Sequence, residues 1–310
     1  MSVITVENLT KDYGAGRGVF GINLNVERGE VFGFLGPNGA GKSTTIRHLM
    51  GFSKPDSGNT YIFGEPSFQK YYDFMQKVGY IPGEIALPQG LTGKQFIEMM
   101  QNLQKIKNQA RLNEMLDMFE LSSSALAGET KRMSLGVKRK LAVVTAFMHD
   151  PEVLVLDEPT SGLDPLMQER FVQFIHEEKS RGKTILLSSH IFTEIDSTCD
   201  RIAIIKDGHI VSEFIADDLR HASTKFYSLT FETEKLAESF LKEAVKTKSF
   251  KLLSRDGSSM QVSFSDDDLN AIVKLLSSFN ATDFSNRRES LEDYFMKFYK
   301  EDKDFKGALK

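Results

Sequence analysis

Short apolar runs separated by glycine-rich turns dominate the first two thirds of the chain. Residues 3–8 and 22–26 alternate apolar and polar side chains, which predicts half-exposed antiparallel strands. Residues 31–35 and 153–156 are continuously apolar, as expected of parallel strands that are buried on both faces. Further strands are predicted over residues 58–64, 78–82, 183–188, 201–205 and 209–214. The pattern indicates an α/β fold with a mixed sheet core and an antiparallel β subdomain.

The apolar spacing changes to three and four residues between positions 92 and 120, which predicts a helical insert. Asn108 is placed to cap the second helix of this insert. Another helix is predicted to begin near Ser134 and to end at residues 149–151. Together these segments predict a helical subdomain over about residues 84–150.

From about residue 222 the chain has a separate pattern. Its predicted elements are a strand at 226–231, a helix at 234–244, a hairpin of 250–254 and 260–264, a helix at 266–279 and a strand at 281–286. This βαββαβ order predicts a small α+β ferredoxin-like domain. A last amphipathic helix carries on one stripe Leu291, Tyr294, Phe295, Phe298 and Tyr299, which we interpret as packing. The predicted domains are therefore 1–221 and 222–310.

The composition is that of an ordinary globular protein. Of its 310 residues, 40% are hydrophobic and 26% are charged, and the net charge of -4 gives no electrostatic footprint for nucleic acid or an anionic membrane. The single cysteine, Cys199, excludes an internal disulfide. The sequence does not start with a basic segment followed by an apolar segment, as a signal peptide would. No apolar run approaches the length that spans a bilayer. We expect a cytoplasmic protein.

The segment between residues 36 and 44 carries the strongest chemical signal. It matches Gly-x-x-x-x-Gly-Lys-Ser and consists of Gly36, Pro37, Asn38, Gly39, Ala40, Gly41, Lys42, Ser43 and Thr44. A buried strand precedes it and a helix follows, so its backbone N–H groups and the helix dipole can face one anion. Lys42 adds a mobile positive charge for the β- and γ-phosphates, and the Ser43 hydroxyl is suited to ligate Mg²⁺. These features predict a site for a nucleotide and magnesium.

Two carboxylates follow the second buried strand, at the edge where open α/β sheets place ligands. Asp157 is suited to hold magnesium through water, and Glu158 to orient or deprotonate an attacking water. His190 follows the next strand and either reaches a γ-phosphate or is structural. Tyr13 lies in a loop, where its ring either stacks on an adenine or simply packs.

The order of these motifs resembles the ATP-binding cassette subunit of ABC transporters, over about residues 3–214. The motifs are the phosphate loop, the run Met133, Ser134, Leu135, Gly136, Val137 and Lys138, the pair Asp157 and Glu158, the run Ser161, Gly162, Leu163 and Asp164, and His190. The resemblance implies a P-loop NTPase cassette in which Tyr13 stacks on adenine and His190 contacts the γ-phosphate. It also implies that Asp164 communicates across a dimer, and that Ser134 and Gly136 close over the partner's nucleotide.

The sequence departs from the family pattern at two positions. The signature usually has two adjacent glycines after its serine, whereas this chain has Leu135 before Gly136. The position after strand 78–82 is usually glutamine, and here it is Gly83, followed by Glu84. Glycine cannot ligate magnesium, so either Glu84 substitutes through water or the loop acts by movement and backbone contact.

The resemblance implies an ATP-hydrolysing subunit, of the export type, that drives a separate membrane permease from the inner face of the membrane. A homodimer is the simplest assembly, with a heterodimer of two cassettes as the alternative. The alternative to packing for the C-terminal amphipathic helix is a contact with the dimer partner or with the permease. A competing function is a soluble ABC ATPase that acts on ribosomes or nucleic acid. The transported substrate is chosen by the permease and is not encoded here.

Overall fold

A computed structural model describes residues 2–220, 224–287 and 291–299. The chain divides between Ile215 and Ala216 into two compact units. The predicted boundary between residues 221 and 222 lies outside the described residues. The assignment of the two units as a cassette and an accessory domain stays a prediction.

The first unit alternates strands and helices. Its strands are β1 Ser2–Asp12, β2 Gly18–Glu27, β3 Val31–Leu35, β4 Ser57–Ile62, β5 Glu65–Pro66, β6 Val78–Ile81, β7 Val153–Asp157, β8 Thr184–Ser189, β9 Arg201–Lys206 and β10 His209–Ile215. Its helices are α1 Lys42–Leu49, α2 Ser67–Phe74, α3 Gly93–Gln104, α4 Gln109–Met118, α5 Ser123–Ala127, α6 Leu135–Phe147, α7 Pro165–Ser180 and α8 Phe192–Thr198. Short 3-10 helices lie at Met75–Lys77 and Thr130–Arg132.

Two sheets organise this unit. The larger has the order β10-β9-β3-β8-β7-β6, in which β10 alone is antiparallel to its neighbour. The smaller is antiparallel, in the order β2-β1-β4-β5. The predicted mixed core and antiparallel subdomain are confirmed. Because β3, β6, β7 and β8 are parallel, the loops that follow them emerge at one edge, and that edge carries the candidate site.

One apolar core joins the two sheets and α1. It includes Val6 and Ile22 of the smaller sheet, Phe34 and Val155 of the larger sheet, and Ile46 of α1. The interior strands β3 and β7 are buried at every position, which explains their continuous apolar sequence. The phosphate loop is therefore anchored at both ends in a rigid core.

Side-chain caps define the starts of helices in the insert. The backbone N–H of Gln95 donates to Thr92 Oγ1 (3.2 Å), and the side chain of Gln95 accepts from the N–H of Thr92 (2.8 Å). Asn108 caps α4, since its Oδ1 accepts from the N–H of Arg111 at 3.0 Å. The predicted helical insert and its Asn108 cap are confirmed.

The second unit is a ferredoxin-like fold. Its elements are α9 Ala216–Arg220, β11 Thr224–Phe231, α10 Glu234–Ala244, β12 Lys251–Asp256, β13 Ser259–Ser265, a 3-10 helix Asp266–Asp268, α11 Leu269–Ser278, β14 Ala281–Arg287 and α12 Leu291–Tyr299. The antiparallel sheet has the order β12-β13-β11-β14, as expected of the split βαββαβ arrangement. Phe240 of α10 and Ile272 of α11 lie in one core with the sheet. In α12, Leu291 and Phe295 are buried, in agreement with the packing interpretation.

The described helices of both units are each too short or too polar to cross a lipid bilayer.

Candidate functional site

The phosphate loop connects β3 to α1 and requires glycine at several positions. Gly39 and Gly41 have φ angles of 84° and 114°, in the left-handed region that glycine adopts without strain. At Gly36 a β-carbon would lie 2.6 Å from the carbonyl oxygen of Ile205. A side chain would strain the backbone at Gly39 and Gly41 and would clash with the backbone at Gly36, so glycine at these positions keeps the loop backbone accessible, as phosphate binding requires.

The remaining loop residues are fixed by the surrounding backbone. The carbonyl of Ala40 accepts from the N–H of Gly208 at 3.0 Å, and Ala40 itself is buried. Asn38 is exposed, while Ser43 and Thr44 are half-buried in the first turn of α1. The sequence prediction of a strand, a glycine turn and a helix is confirmed.

Lys42 lies at the start of α1 and turns back into the loop. Its Nζ donates to the carbonyl oxygens of Gly36 and Pro37, the second at 3.2 Å, and lies 3.0 Å from Glu158 Oε1. The side chain is only 5% exposed. The sequence predicts a mobile charge at this position, but the structure holds the ammonium between two carbonyls and a carboxylate.

Glu158 stands directly after β7, in a strained backbone conformation. Its φ is 49°, which is unusual for a residue with a side chain, and its N–H donates to the carbonyl of Ser188 at 3.0 Å. His190 Nδ1 lies 2.6 Å from Glu158 Oε2. The structure thus brings together Lys42, Glu158 and His190, which the sequence placed on three separate segments.

The charges of this cluster shift the pKa values of its members. Burial acts to raise the pKa of Glu158, but the hydrogen bond with His190 and the positive charge of Lys42 outweigh it, so the pKa lies below its usual range. The hydrogen bond with Glu158 raises the pKa of His190, although burial opposes the rise. Glu158 is therefore held as a carboxylate, as a general base must be.

Asp157 and Ser43 meet beside Gly83. Asp157 is 2% exposed, and its Oδ1 accepts a hydrogen bond from Ser188 Oγ. A β-carbon on Gly83 would lie 2.9 Å from Asp157 Oδ2 and 3.7 Å from Ser43 Oγ. The Gly83 backbone therefore borders the two predicted metal ligands, whereas the side chain of Glu84 is exposed. A carboxylate and a hydroxyl oxygen are the donor types that Mg²⁺ prefers, so the residues present fit this ion.

The signature segment forms the start of α6. Ser134 is its N-cap, and its Oγ accepts from the N–H of Val137 at 3.3 Å. Leu135 is 56% exposed, and its Cδ2 would lie 2.9 Å from a β-carbon on Gly162. The side chain of Leu135, which replaces the usual glycine, therefore packs against Gly162. Gly136 lies close to the same loop, since a β-carbon there would be 3.2 Å from the carbonyl oxygen of Gly162.

Asp164 and Tyr13 lie in loops beyond this cluster. Asp164 is the N-cap of α7, and its Oδ1 accepts from the N–H of Met167 at 3.0 Å. The sequence signal for this cap was present, because Asp followed by Pro is a common helix start. Tyr13 is 52% exposed, and Lys11 Nζ lies 5.8 Å from its ring centroid.

Sequence reasoning missed a carboxyl group behind the base. Glu194 is 4% exposed and accepts a hydrogen bond from Ser189 Oγ. Burial raises its pKa to about 7. Two adjacent serines at the end of an otherwise apolar strand were the available signal, since buried hydroxyls need polar partners.

Sequence reasoning also missed Arg139 of α6. It is 2% exposed, and its guanidinium donates to the carbonyl oxygens of Ser161 (2.9 Å), Pro82 (2.9 Å) and Gly83 (2.7 Å). The residue follows the signature directly in the sequence, in the helix that was predicted to begin near Ser134. The sequence showed the arginine but not the carbonyl groups that lie around it.

Comparisons with known proteins identify one family. The family described as ABC transporter matches residues 19–161. The chain is 37% identical over 230 residues to the bacitracin transport ATP-binding protein BcrA of Bacillus licheniformis, which covers 73% of this chain and 74% of that protein. It is 30% identical over 305 residues to BcrA of Enterococcus faecalis, covering 95% of this chain and 96% of that one.

A solved ATP binding subunit of an ABC transporter has the same fold. It superposes with a TM-score of 0.64 at 30% sequence identity, over 71% of this chain and 92% of that chain. The family match, the relatives and the solved structure thus point to one family. The chain belongs to the ABC transporter family, as a subunit that binds and hydrolyses ATP.

Proposed function

We propose that this chain is the ATPase subunit of an ABC exporter, and that ATP-driven dimerisation of the cassette powers a separate membrane permease. The observation that carries the proposal is the cluster in which Glu158 contacts both Lys42 and His190 at the edge of the parallel sheet. A carboxylate with a lowered pKa beside a phosphate loop is suited to activate a water for attack on a γ-phosphate.

In this proposal Ser43 and Asp157 hold Mg²⁺, which supplies charge neutralisation for the β- and γ-phosphate oxygens when bound. Asp157 is oriented for this role because Ser188 Oγ donates to one of its oxygens. The other oxygen, Oδ2, faces Gly83. The loop after β6 therefore meets the metal side of the site through backbone and not through a side chain.

Lys42 and His190 provide the positive charge around the base. Lys42 Nζ contacts Glu158 and the loop carbonyls, so a rotation of its long side chain moves its charge between the carboxylate and a phosphate. His190 holds Glu158 from the other side, which orients the carboxylate. The raised pKa of His190 favours its charged form, in which a ring N–H can donate a hydrogen bond to a phosphate oxygen.

The far side of the site is proposed to come from a second chain. One lone pair of Ser134 Oγ accepts from the N–H of Val137, and the hydroxyl hydrogen is proposed to donate to a phosphate oxygen. Gly136 and the N-terminus of α6 add N–H groups and a favourable dipole. Asp164 is proposed to contact the opposing chain, and Tyr13 to stack on the adenine. A homodimer is the simplest assembly, and a heterodimer with a second cassette is the alternative.

The membrane partner is proposed to dock beside the helical insert. Phe52, Tyr72 and Leu103 are 53%, 63% and 66% exposed, and Phe52 packs edge-on against Tyr80 with ring centroids 5.4 Å apart. Exposed apolar groups of this size are typical of protein interfaces. The groove between Pro82 and the insert is proposed to receive a helix of the permease. This places the chain in the cytoplasm, at the inner face of the membrane.

A role in transport is supported by the BcrA relatives, which are named for bacitracin transport, and export is the direction that we propose. The alternative function, a soluble ABC ATPase acting on ribosomes or nucleic acid, is not favoured by these relatives. Copurification of this chain with a polytopic membrane protein would support the transporter, whereas copurification with ribosomes would support the alternative.

The substitution Glu158→Gln tests the proposal. We expect turnover to fall by about a hundredfold or more, because the general base is lost, while ATP binding is retained. The variant should accumulate as an ATP-dependent dimer, measured by size-exclusion chromatography with light scattering. The exposed Glu177→Gln is the matched control and should hydrolyse ATP normally. Near-normal turnover in Glu158→Gln would remove Glu158 from the mechanism.

A further inference from the structure

A buried arginine joins two loops of the nucleotide site to the signature helix. Arg139 lies in α6, whose N-cap is Ser134, and it is 2% exposed. Its Nε donates to the carbonyl of Ser161, and its two terminal nitrogens donate to the carbonyls of Pro82 and Gly83. One planar guanidinium thus contacts the loop after β6 and the loop after β7 at the same time.

Each of these loops borders a group that acts on ATP. The Gly83 backbone lies beside Asp157 and Ser43, the proposed magnesium ligands. The N–H of Ser161 donates to the carbonyl of Glu158, the proposed base, at 3.2 Å. The carbonyl groups that Arg139 binds therefore belong to the loops that adjoin the proposed metal ligands and the proposed base.

The signature segment touches the second loop independently. Leu135 and Gly136 both lie close to Gly162, the residue after Ser161. The first turns of α6 thereby contact the loop after β7 at two points, through Leu135 and through Arg139. Since Gly83 has no side chain, Arg139 provides the side-chain contact that connects the loop after β6 to the signature helix.

The arginine is not interchangeable with other residues at this place. Its donors form a fixed fork, which matches three carbonyls from two loops, whereas a lysine ammonium has no such planar arrangement. Burial lowers the pKa of Arg139, and the negative charges of Asp157 and Glu158 oppose that shift. The guanidinium therefore lies within electrostatic range of both acidic groups of the site.

We propose that Arg139 is a positioning residue, which sets the Ser134 signature for the partner chain according to the arrangement of the nucleotide site in its own chain. This inference rests on the proposed ATP-driven dimer. Nucleotide bound to the phosphate loop rearranges the loops at Gly83 and Ser161, and Arg139 moves α6 with them. Without the guanidinium, each chain still binds ATP, but its signature is no longer placed to close on the partner's nucleotide.

The test measures dimerisation of the full chain in a Glu158→Gln background, where hydrolysis does not remove the dimer. We expect Arg139→Met to raise the ATP concentration for half-maximal dimerisation by about tenfold, a typical size for coupling between two sites. Binding of a fluorescent ATP analogue to the dilute monomer should change by less than about twofold, because the phosphate loop is intact. Arg139→Lys should give an intermediate increase, and it decides the question if Arg139→Met does not fold.

Arg111→Gln is the matched control. Arg111 is also a buried arginine of the insert, 5% exposed, but it binds Glu178 Oε1 at 2.6 Å and Glu114 Oε1 at 2.7 Å. Its loss should lower thermal stability without changing the half-maximal ATP concentration. The inference is overturned if the Arg139 variants dimerise at the parental ATP concentration and lose only thermal stability. A Glu158→Gln parent that never dimerises with ATP contradicts the proposed function itself, and the inference with it.

Discussion

At the scale of single residues, the site depends on acidic groups whose environments differ sharply. Glu158 is kept ionised by His190 and Lys42, which outweigh its burial. Burial raises the pKa of Glu194 to about 7, although hydrogen bonds from Ser189 and Thr160 oppose the rise. Residue types alone predicted the role of Glu158. They could not predict the state of Glu194, because burial is set by α8 folding against β8.

The raised pKa of Glu194 predicts a pH dependence of stability. Its protonated form stabilises the native state below the unfolded pKa of 4.5, and this contribution is lost as the pH rises through about 7. Glutamine does not titrate, so Glu194→Gln does not lose this contribution. The free energy of unfolding of the variant relative to the parent should therefore rise between pH 5 and pH 8, by up to ~3 kcal/mol. Urea unfolding at both values measures the difference, with Glu177→Gln as a control for loss of a surface charge. If the free energy of unfolding of Glu194→Gln relative to the parent is the same at pH 5 and pH 8, the raised pKa of Glu194 is contradicted.

At the scale of elements, the sequence was most informative where a local rule acts alone. The cap at Asn108, the helix start near Ser134 and the buried strands β3 and β7 follow from neighbouring residues, and the structure confirms them. The strand predicted over residues 3–8 extends over Ser2–Asp12, because Lys11 pairs with Val19 across a bulged ladder. Pairing of this kind depends on the partner strand and cannot be inferred from local alternation.

Helix α7 shows a signal that was present but not used. Asp164 and Pro165 mark its start, and Met167, Phe171, Phe174 and Ile175 are buried at helical spacing. The contact between Arg139 and Gly83 has no such local signal, because the tertiary fold must bring α6 and the loop after β6 together before it can form. Local pattern therefore predicted the elements, and long-range packing decided which of their side chains meet.

The N-terminus of α6 carries a prediction at this scale. Ser134→Arg places a charged side chain where the helix start should face the partner's nucleotide, so hydrolysis should be lost while the monomer still binds ATP. Loss of the cap itself should cost about 1 kcal/mol of stability. Ser122→Arg, which removes the equivalent cap of α5, is the control and should keep its turnover. The measurements are steady-state hydrolysis and binding of a fluorescent ATP analogue. Failure of the monomer to bind ATP would place Ser134 on the near side of the site.

At the scale of the whole molecule, the two units have separate cores. The core that holds β3 and α1 lies within residues 3–205, and the core of the ferredoxin-like unit lies within residues 227–276. The motifs that carry the ATP chemistry all lie in the first unit. The second unit is therefore proposed to serve an accessory role outside hydrolysis.

Removal of residues 216–310 should leave a cassette that folds cooperatively and binds ATP with nearly the affinity of the full chain. The physical reason is that none of the core residues of the first unit is removed. Thermal unfolding and nucleotide binding check the prediction. An insoluble or non-cooperative fragment would show that the second unit is needed for the cassette to fold.

In the proposed dimer one chain holds the phosphate loop and the base, and the other chain supplies Ser134. Mixing two inactive full-length variants, Lys42→Ala and Ser134→Arg, tests it most directly. In a two-fold dimer, each mixed pair contains one intact site, formed by the unmodified loop of one chain and the unmodified signature of the other. ATP hydrolysis of an equimolar mixture should therefore recover to about a quarter of the parental rate, since about half of the dimers are mixed. A mixture no more active than the two variants measured separately would contradict the account.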